Sequence, residues 1–99
     1  MSSVDEFLKK HPSWKIREGK LISEFVFSEY RKAVSFFIRL SELAERKNHH
    51  PEVTVGFRKV TVILHTFDVN EITEKDIESA EETEKIYHTL RFPNSGKEM

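Results

Sequence analysis

The residues best equipped for chemistry sit in one run, Glu45-Arg-Lys-Asn-His49-His50-Pro51. Glu45 precedes His49 by four positions, so the two share a face if a helix reaches that far. Pro51 biases His50 towards an extended backbone. Imidazole has a free pKa of about 6.5, the side-chain value nearest working pH. Two adjacent imidazoles suit a reaction in which one proton is given and another taken. Local sequence leaves two other readings open. The pair could be exposed loop histidines, or His49, His50 or His65 could join carboxylates around a metal, although no H-E-x-x-H spacing is present.

Composition narrows the setting for that chemistry. The chain has 99 residues, 5 histidines and no cysteine. One domain spanning 1–99 is expected at this length, with 93–99 as a frayed tail. Without cysteine there are no disulfides, thiolate nucleophiles or sulfur-bound zinc. Eight phenylalanines provide bulky core material for a short chain. Sixteen basic against 17 acidic residues leave a net charge of −1, which argues against direct binding to nucleic acid. Charge is uneven: residues 1–67 hold 12 basic and 8 acidic groups, whereas 68–84 hold 8 acidic groups and Lys75. The acidic stretch reads as the solvated face of a helix, with a docking surface for a basic partner as the alternative. No apolar run is long enough to span a membrane, and MSSVDEFLKK lacks the pattern of a secretory signal. The cytoplasm is the expected compartment.

The positioning elements follow from periodicity and punctuation. Ser3 with Glu6 has capping-box spacing and opens a short helix over 4–11, stopped by Pro12. Alternation over 14–27, broken at Gly19, predicts a β-hairpin with Leu21, Ser23, Phe25 and Phe27 on one side. Ser28 is a candidate cap for a helix over 28–46. Its apolar positions are Tyr30, Ala33, Val34, Phe37, Leu40 and Ala44, with Phe36 and Leu43 widening the stripe. That is more than one sheet face needs, and it suggests contact with another subunit. Asn48 is a suitable helix stop. Two strands turning near Gly56 follow, with Val60, Val62 and Leu64 on one face and Thr61, Ile63, His65 and Phe67 on the other. Thr73 with Asp76 repeats the capping-box spacing and opens a helix to about Leu90. The expected fold is a two-layer α+β domain, α-ββ-α-ββ-α. Its four-stranded antiparallel sheet carries two long helices on one face, plus a short N-terminal helix.

The run E-x-x-x-H-H-P-E, then Phe57, V-T-V-I-L-H-T and T-E-K-D, resembles the pterin-4a-carbinolamine dehydratases over nearly the whole chain. Trp14, Gly19 and the pair Phe25 and Phe27 resemble that family's first hairpin. The resemblance implies dehydration of 4a-hydroxytetrahydropterin to quinonoid dihydropterin and water, in the recycling of tetrahydropterin. The pterin is the substrate, and no metal or further cofactor is implied. His49, His50 and Asp76 match the family's catalytic positions. Pro51 and Glu45 match the residues around the pair, and Phe57 the downstream aromatic. Where the family usually carries a third histidine, or sometimes a tryptophan, this chain has Phe67. Phenylalanine transfers no proton but can stack on a flat ring. His65, two residues earlier, is a candidate replacement. With Phe67 and no replacement, activity is expected to be weakened. A homodimer or homotetramer is also implied. Some relatives bind a homeodomain transcription factor through the helix matching 28–46, and others assist protein assembly. A regulatory binding module is therefore the alternative to an enzyme, with the nucleus added to its compartments if it is a coactivator.

Overall fold

The first hairpin turns on two residues with positive φ, Glu18 at 54° and Gly19 at 77°. A two-residue loop with both angles positive matches the right-handed twist of the strands it joins. In this computed structural model, which describes residues 3–91 and the side chains of 4–90, that turn links β1 (Lys15–Arg17) to β2 (Lys20–Val26). Before it lies α1 (Ser3–Lys10). After it come α2 (Tyr30–Lys47), β3 (Glu52–Val55), β4 (Lys59–Leu64) and α3 (Glu74–Arg91). The order is the expected α-ββ-α-ββ-α. The sheet runs β1-β2-β4-β3, every pair antiparallel. The cap assigned to Ser3 and the tail at 93–99 lie outside the described side chains and residues.

Strand alternation sorts the core. Leu21, Ser23, Phe25 and Phe27 are buried, as are Val60, Val62 and Leu64. These meet Ala33, Phe36 and Leu40 of α2 and Ile77 and Ala80 of α3. Rings interlock at one end: Phe25, Phe27 and Phe36 each lie 4.9–5.9 Å from Tyr87 by centroid. The Tyr87 hydroxyl donates to the Val26 carbonyl at 2.9 Å, which ties α3 to β2. Trp14 packs edge-on to Phe7 and Phe25 and donates its indole N–H to Glu84 at 2.8 Å.

Three expectations need correction. The N-cap of α2 is Glu29, not Ser28, and its extended backbone (φ −154°) carries no side-chain cap bond. The buried face of α2 is Ala33, Phe36, Leu40, Leu43 and Ala44, while Tyr30, Phe37 and Ile38 are exposed. A helix packed on one layer can bury only one stripe, so the surplus turns outward. Finally, β4 stops at Leu64, so His65 and Phe67 lie in the following loop rather than on a strand face. That loop is closed by paired backbone bonds between Thr66 and Glu71, with Asn70 at φ 53°.

Candidate active site

The histidine pair is placed by the way α2 ends. Asn48 adopts the left-handed conformation (φ 52°, ψ 44°), as the sequence suggests. Its N–H returns to the Glu45 carbonyl and that of His49 to Ala44, satisfying groups the helix would otherwise leave open. The chain then reverses and enters β3. Successive residues of extended chain point opposite ways. His49 turns inward to α3, and His50 turns outward to α2.

His49 Nε2 lies 2.6 Å from Asp76 Oδ1. The His49 side chain is 10% exposed and Asp76 is wholly sealed. Asp76 Oδ2 accepts from the Thr66 hydroxyl at 2.8 Å and from the Thr73 N–H at 2.9 Å. Each threonine has one hydroxyl proton. Thr66 spends its proton on Asp76, so the 2.7 Å contact between the two hydroxyls is donated by Thr73. Thr73 Oγ1 in turn accepts from the Lys75 N–H at 3.3 Å. The capping box is therefore present, and Asp76 does two things: Oδ2 caps the helix, and Oδ1 holds an imidazole. Asp76 is sealed from solvent, and His49 is the imidazole it holds.

His50 is exposed and bonds Glu45 Oε2 through Nε2 at 3.0 Å. A solvent-facing pair of this kind adds little to stability. Beside it, Glu45, His50 and Pro51 help to line an apolar cavity of about 320 Å³ with Phe37, Leu40 and Val53. That volume is at the lower end of the range for small-molecule pockets.

His65 and Phe67 make an edge-to-face pair, centroids 4.4 Å apart. The imidazole is buried at 6% exposure and the phenyl ring is 66% exposed. Phe57 is placed elsewhere. It lies in the turn at the far end of the β3–β4 hairpin, roughly 15 Å from the His50 end, judged by strand rise. There it stacks on Tyr30, with Arg58 over its ring at 5.0 Å. Four residues of β3 separate it from the histidines.

Sequence reasoning missed Thr66 and the part Thr73 plays beyond capping. No spacing in the chain marked Thr66, which is placed by the loop after β4, where its backbone pairs with Glu71. Among the described residues, no group of three or more His, Asp or Glu side chains is placed to hold a metal ion. No helix among them is long and apolar enough to cross a membrane.

A protein-family model described as pterin 4 alpha carbinolamine dehydratase matches residues 1–86. The chain belongs to the pterin-4a-carbinolamine dehydratase family. A Mycolicibacterium smegmatis relative, described as a "putative pterin-4-alpha-carbinolamine dehydratase", is 36% identical over 83 residues, 84% of this chain and 88% of its own. One from Thermomicrobium roseum, described in the same words, is 34% identical over 77% of this chain and 82% of its own. Among solved structures, a "transcriptional coactivator/pterin dehydratase" from Brucella melitensis superposes with TM-score 0.81 at 26% identity, covering 88% of this chain and 97% of that one. A pterin dehydratase-like RuBisCO assembly factor shares the fold at TM-score 0.66 and 22% identity, over 78% of this chain and 92% of its own.

Proposed function

We propose that this member of the family dehydrates 4a-hydroxytetrahydropterin to quinonoid dihydropterin and water, using its imidazoles as proton carriers. The reaction is an elimination. The N5 proton leaves to a base and the N5–C4a double bond forms. The C4a–O bond breaks, and the hydroxyl takes a proton and departs as water. One acid and one base are needed, and no electrons are exchanged with a cofactor. The observation that carries this reading is the division of the histidine pair between two carboxyl groups, His49 on Asp76 and His50 on Glu45. His49 is oriented by a fully bonded partner, which fixes its ring and leaves Nδ1 for exchange with substrate. His50 stands at the solvent edge beside the apolar cavity, where protons can be resupplied.

Stopped-flow measurement on 4a-hydroxytetrahydropterin tests the proposal. The wild type accelerates dehydration, and the His49→Ala/His50→Ala double variant falls to the rate in buffer. Equal rates for wild type, double variant and buffer would exclude the enzyme reading.

The exposed face of α2 supports a second element, self-association as a homodimer or homotetramer. Tyr30, Phe37 and Ile38 stay 39–53% exposed on one helix, and a small domain gains by burying such surface. The same face is the surface for a protein partner of the coactivator or assembly type, should the chain act as a binding module.

A further inference from the structure

We infer that the first hairpin is an anion site, and that Lys15, Arg17 and Lys20 take the diphosphate group of a small molecule there. The site lies at the sheet edge opposite to β3 and the histidine pair, and it does not rest on the dehydratase reading. Its first support is register. β1 pairs with β2 as Arg17 with Lys20 and Lys15 with Ile22. Residues directly opposite in an antiparallel pair point to the same face, with Cβ atoms about 5 Å apart. Leu21, Ser23 and Phe25 are buried in the core, so Lys20 and Ile22 point to the open face, and Arg17 and Lys15 point there with them. Lys15 follows Arg17 at about 7 Å along the strand. Three cations thus share one small patch on the side of the sheet turned away from the helices.

The second support is that these charges go unbalanced among the described residues. Like charges directly opposite in a ladder destabilise it. None of the three cations joins a salt bridge or a side-chain hydrogen bond among the described residues. Two carboxylates lie nearby. Glu24, two positions beyond Ile22 on the same face, is held by Lys59 at 3.6 Å. Glu18 sits in the turn and makes no ion pair with its neighbours. Charges on an edge strand deter pairing with other sheets. That explains Lys15 and Arg17 on β1, but Lys20 belongs to β2, an inner strand. An opposed pair that costs stability and guards no edge is explained by a ligand that brings the missing negative charge.

The third support is shape. A hollow of about 280 Å³ opens beside the cluster, lined by Ser13, Lys15, Arg17, Ile22, Ser23 and Glu24. That is close to the lower end of the range for small-molecule pockets. A nucleic-acid surface needs cations that track many phosphates. This cluster spans only about 7 Å, on a chain of net charge −1. The Arg17 guanidinium offers a fork of parallel donors to a phosphate, and the two ammonium groups add point charges. One phosphate carries up to about two negative charges, so three cations match a diphosphate. The hollow, with Ile22 as its apolar floor, receives the body of the molecule.

The test uses the full chain, titrated separately with inorganic pyrophosphate, ADP and a poly-glutamate peptide, with backbone amide NMR shifts locating each one. Pyrophosphate should move the amides of Arg17, Gly19 and Lys20 and leave those around Lys47 and Lys75 in place, with affinity falling as salt rises. The double variant Arg17→Gln/Lys20→Gln should bind pyrophosphate about tenfold or more weakly. Without ligand that variant should melt at or above the wild type, because the repulsion is gone. Pyrophosphate should raise the melting temperature of the wild type and leave that of the variant unchanged. ADP binding more tightly than pyrophosphate supports a site that also holds the body of the ligand in the hollow, and equal binding supports recognition of the diphosphate alone. Pyrophosphate shifts spread evenly over the lysines of the chain overturn the inference, as does poly-glutamate binding as tightly at the hairpin. A ligand-free double variant that melts below the wild type overturns it too, since the charges would then serve the hairpin itself.

Discussion

His49 and Asp76 lie 27 residues apart in the chain and 2.6 Å apart in space. The contact joins the end of one long helix to the start of the other. Its acceptor is already committed to helix capping through its second oxygen. Orientation of the imidazole and integrity of α3 are therefore one structural event, and changes at Asp76 should be felt in both.

Asp76→Ala should destabilise the fold by on the order of 3 kcal/mol, because the Thr66 hydroxyl, the Thr73 N–H and His49 all lose an acceptor. For a domain of this size that is a fall in Tm of at least 10 °C. Asp76→Asn retains an oxygen for the cap but offers His49 an amide in place of a carboxyl. It should melt closer to wild type while losing on the order of 10²-fold or more in kcat. Thermal melting beside stopped-flow rates reads both. Equal kcat in Asp76→Asn and wild type would show that His49 needs no carboxyl partner.

Ser79 presents the opposite case. Its hydroxyl is sealed in α3 with nothing to bond. Ser79→Ala removes that unmet group and substitutes a better helix former, so stability should rise by about 0.5–1 kcal/mol. Denaturant titration checks the sign. A loss of stability would mean that the hydroxyl has a partner in solution.

Glu18 holds a positive φ beside Gly19. Left-handed backbone is disfavoured for ordinary L-residues and tolerated by Asn, and Asn-Gly is the preferred pair for this turn. Glu18→Asn should stabilise the chain by about 0.5–1 kcal/mol with no change in kcat. A lower melting temperature would indicate that the turn differs from this geometry.

Ile38 is half exposed on the outer face of α2. If that face joins copies of the chain, Ile38→Glu places a charge in the interface and should shift sedimentation towards the monomer, with the secondary structure retained. A wild type already monomeric at micromolar concentration would rule out self-association through this helix.

Much of this was legible in one dimension. Turn chemistry at Gly19 and Gly56, the left-handed stop at Asn48 and the Thr73–Asp76 spacing each act within a few residues, and each appears in the structure where expected. The fold class followed because alternation and helical period assign a buried face to every element. The distance from Phe57 to the histidines was not legible, because motif spacing counts residues along a chain, while a strand spends those residues on distance. The α2 stripe was misassigned because apolar periodicity does not say which side of an over-wide stripe meets the sheet.

The amino-acid sequence by itself determined the elements, the family and the residues able to move a proton. These depend on local backbone preference and side-chain type, which neighbours in the chain decide. Only tertiary structure decided what each group touches. It sent His49 to Asp76 and His50 to Glu45, sealed Asp76 from solvent, and drew Thr66 into the carboxyl's hydrogen bonds. It also buried His65 beneath an exposed Phe67. Those outcomes depend on the register of β3 on β4 and the packing of α3 over their ends, and chain spacing alone does not set contacts of that range.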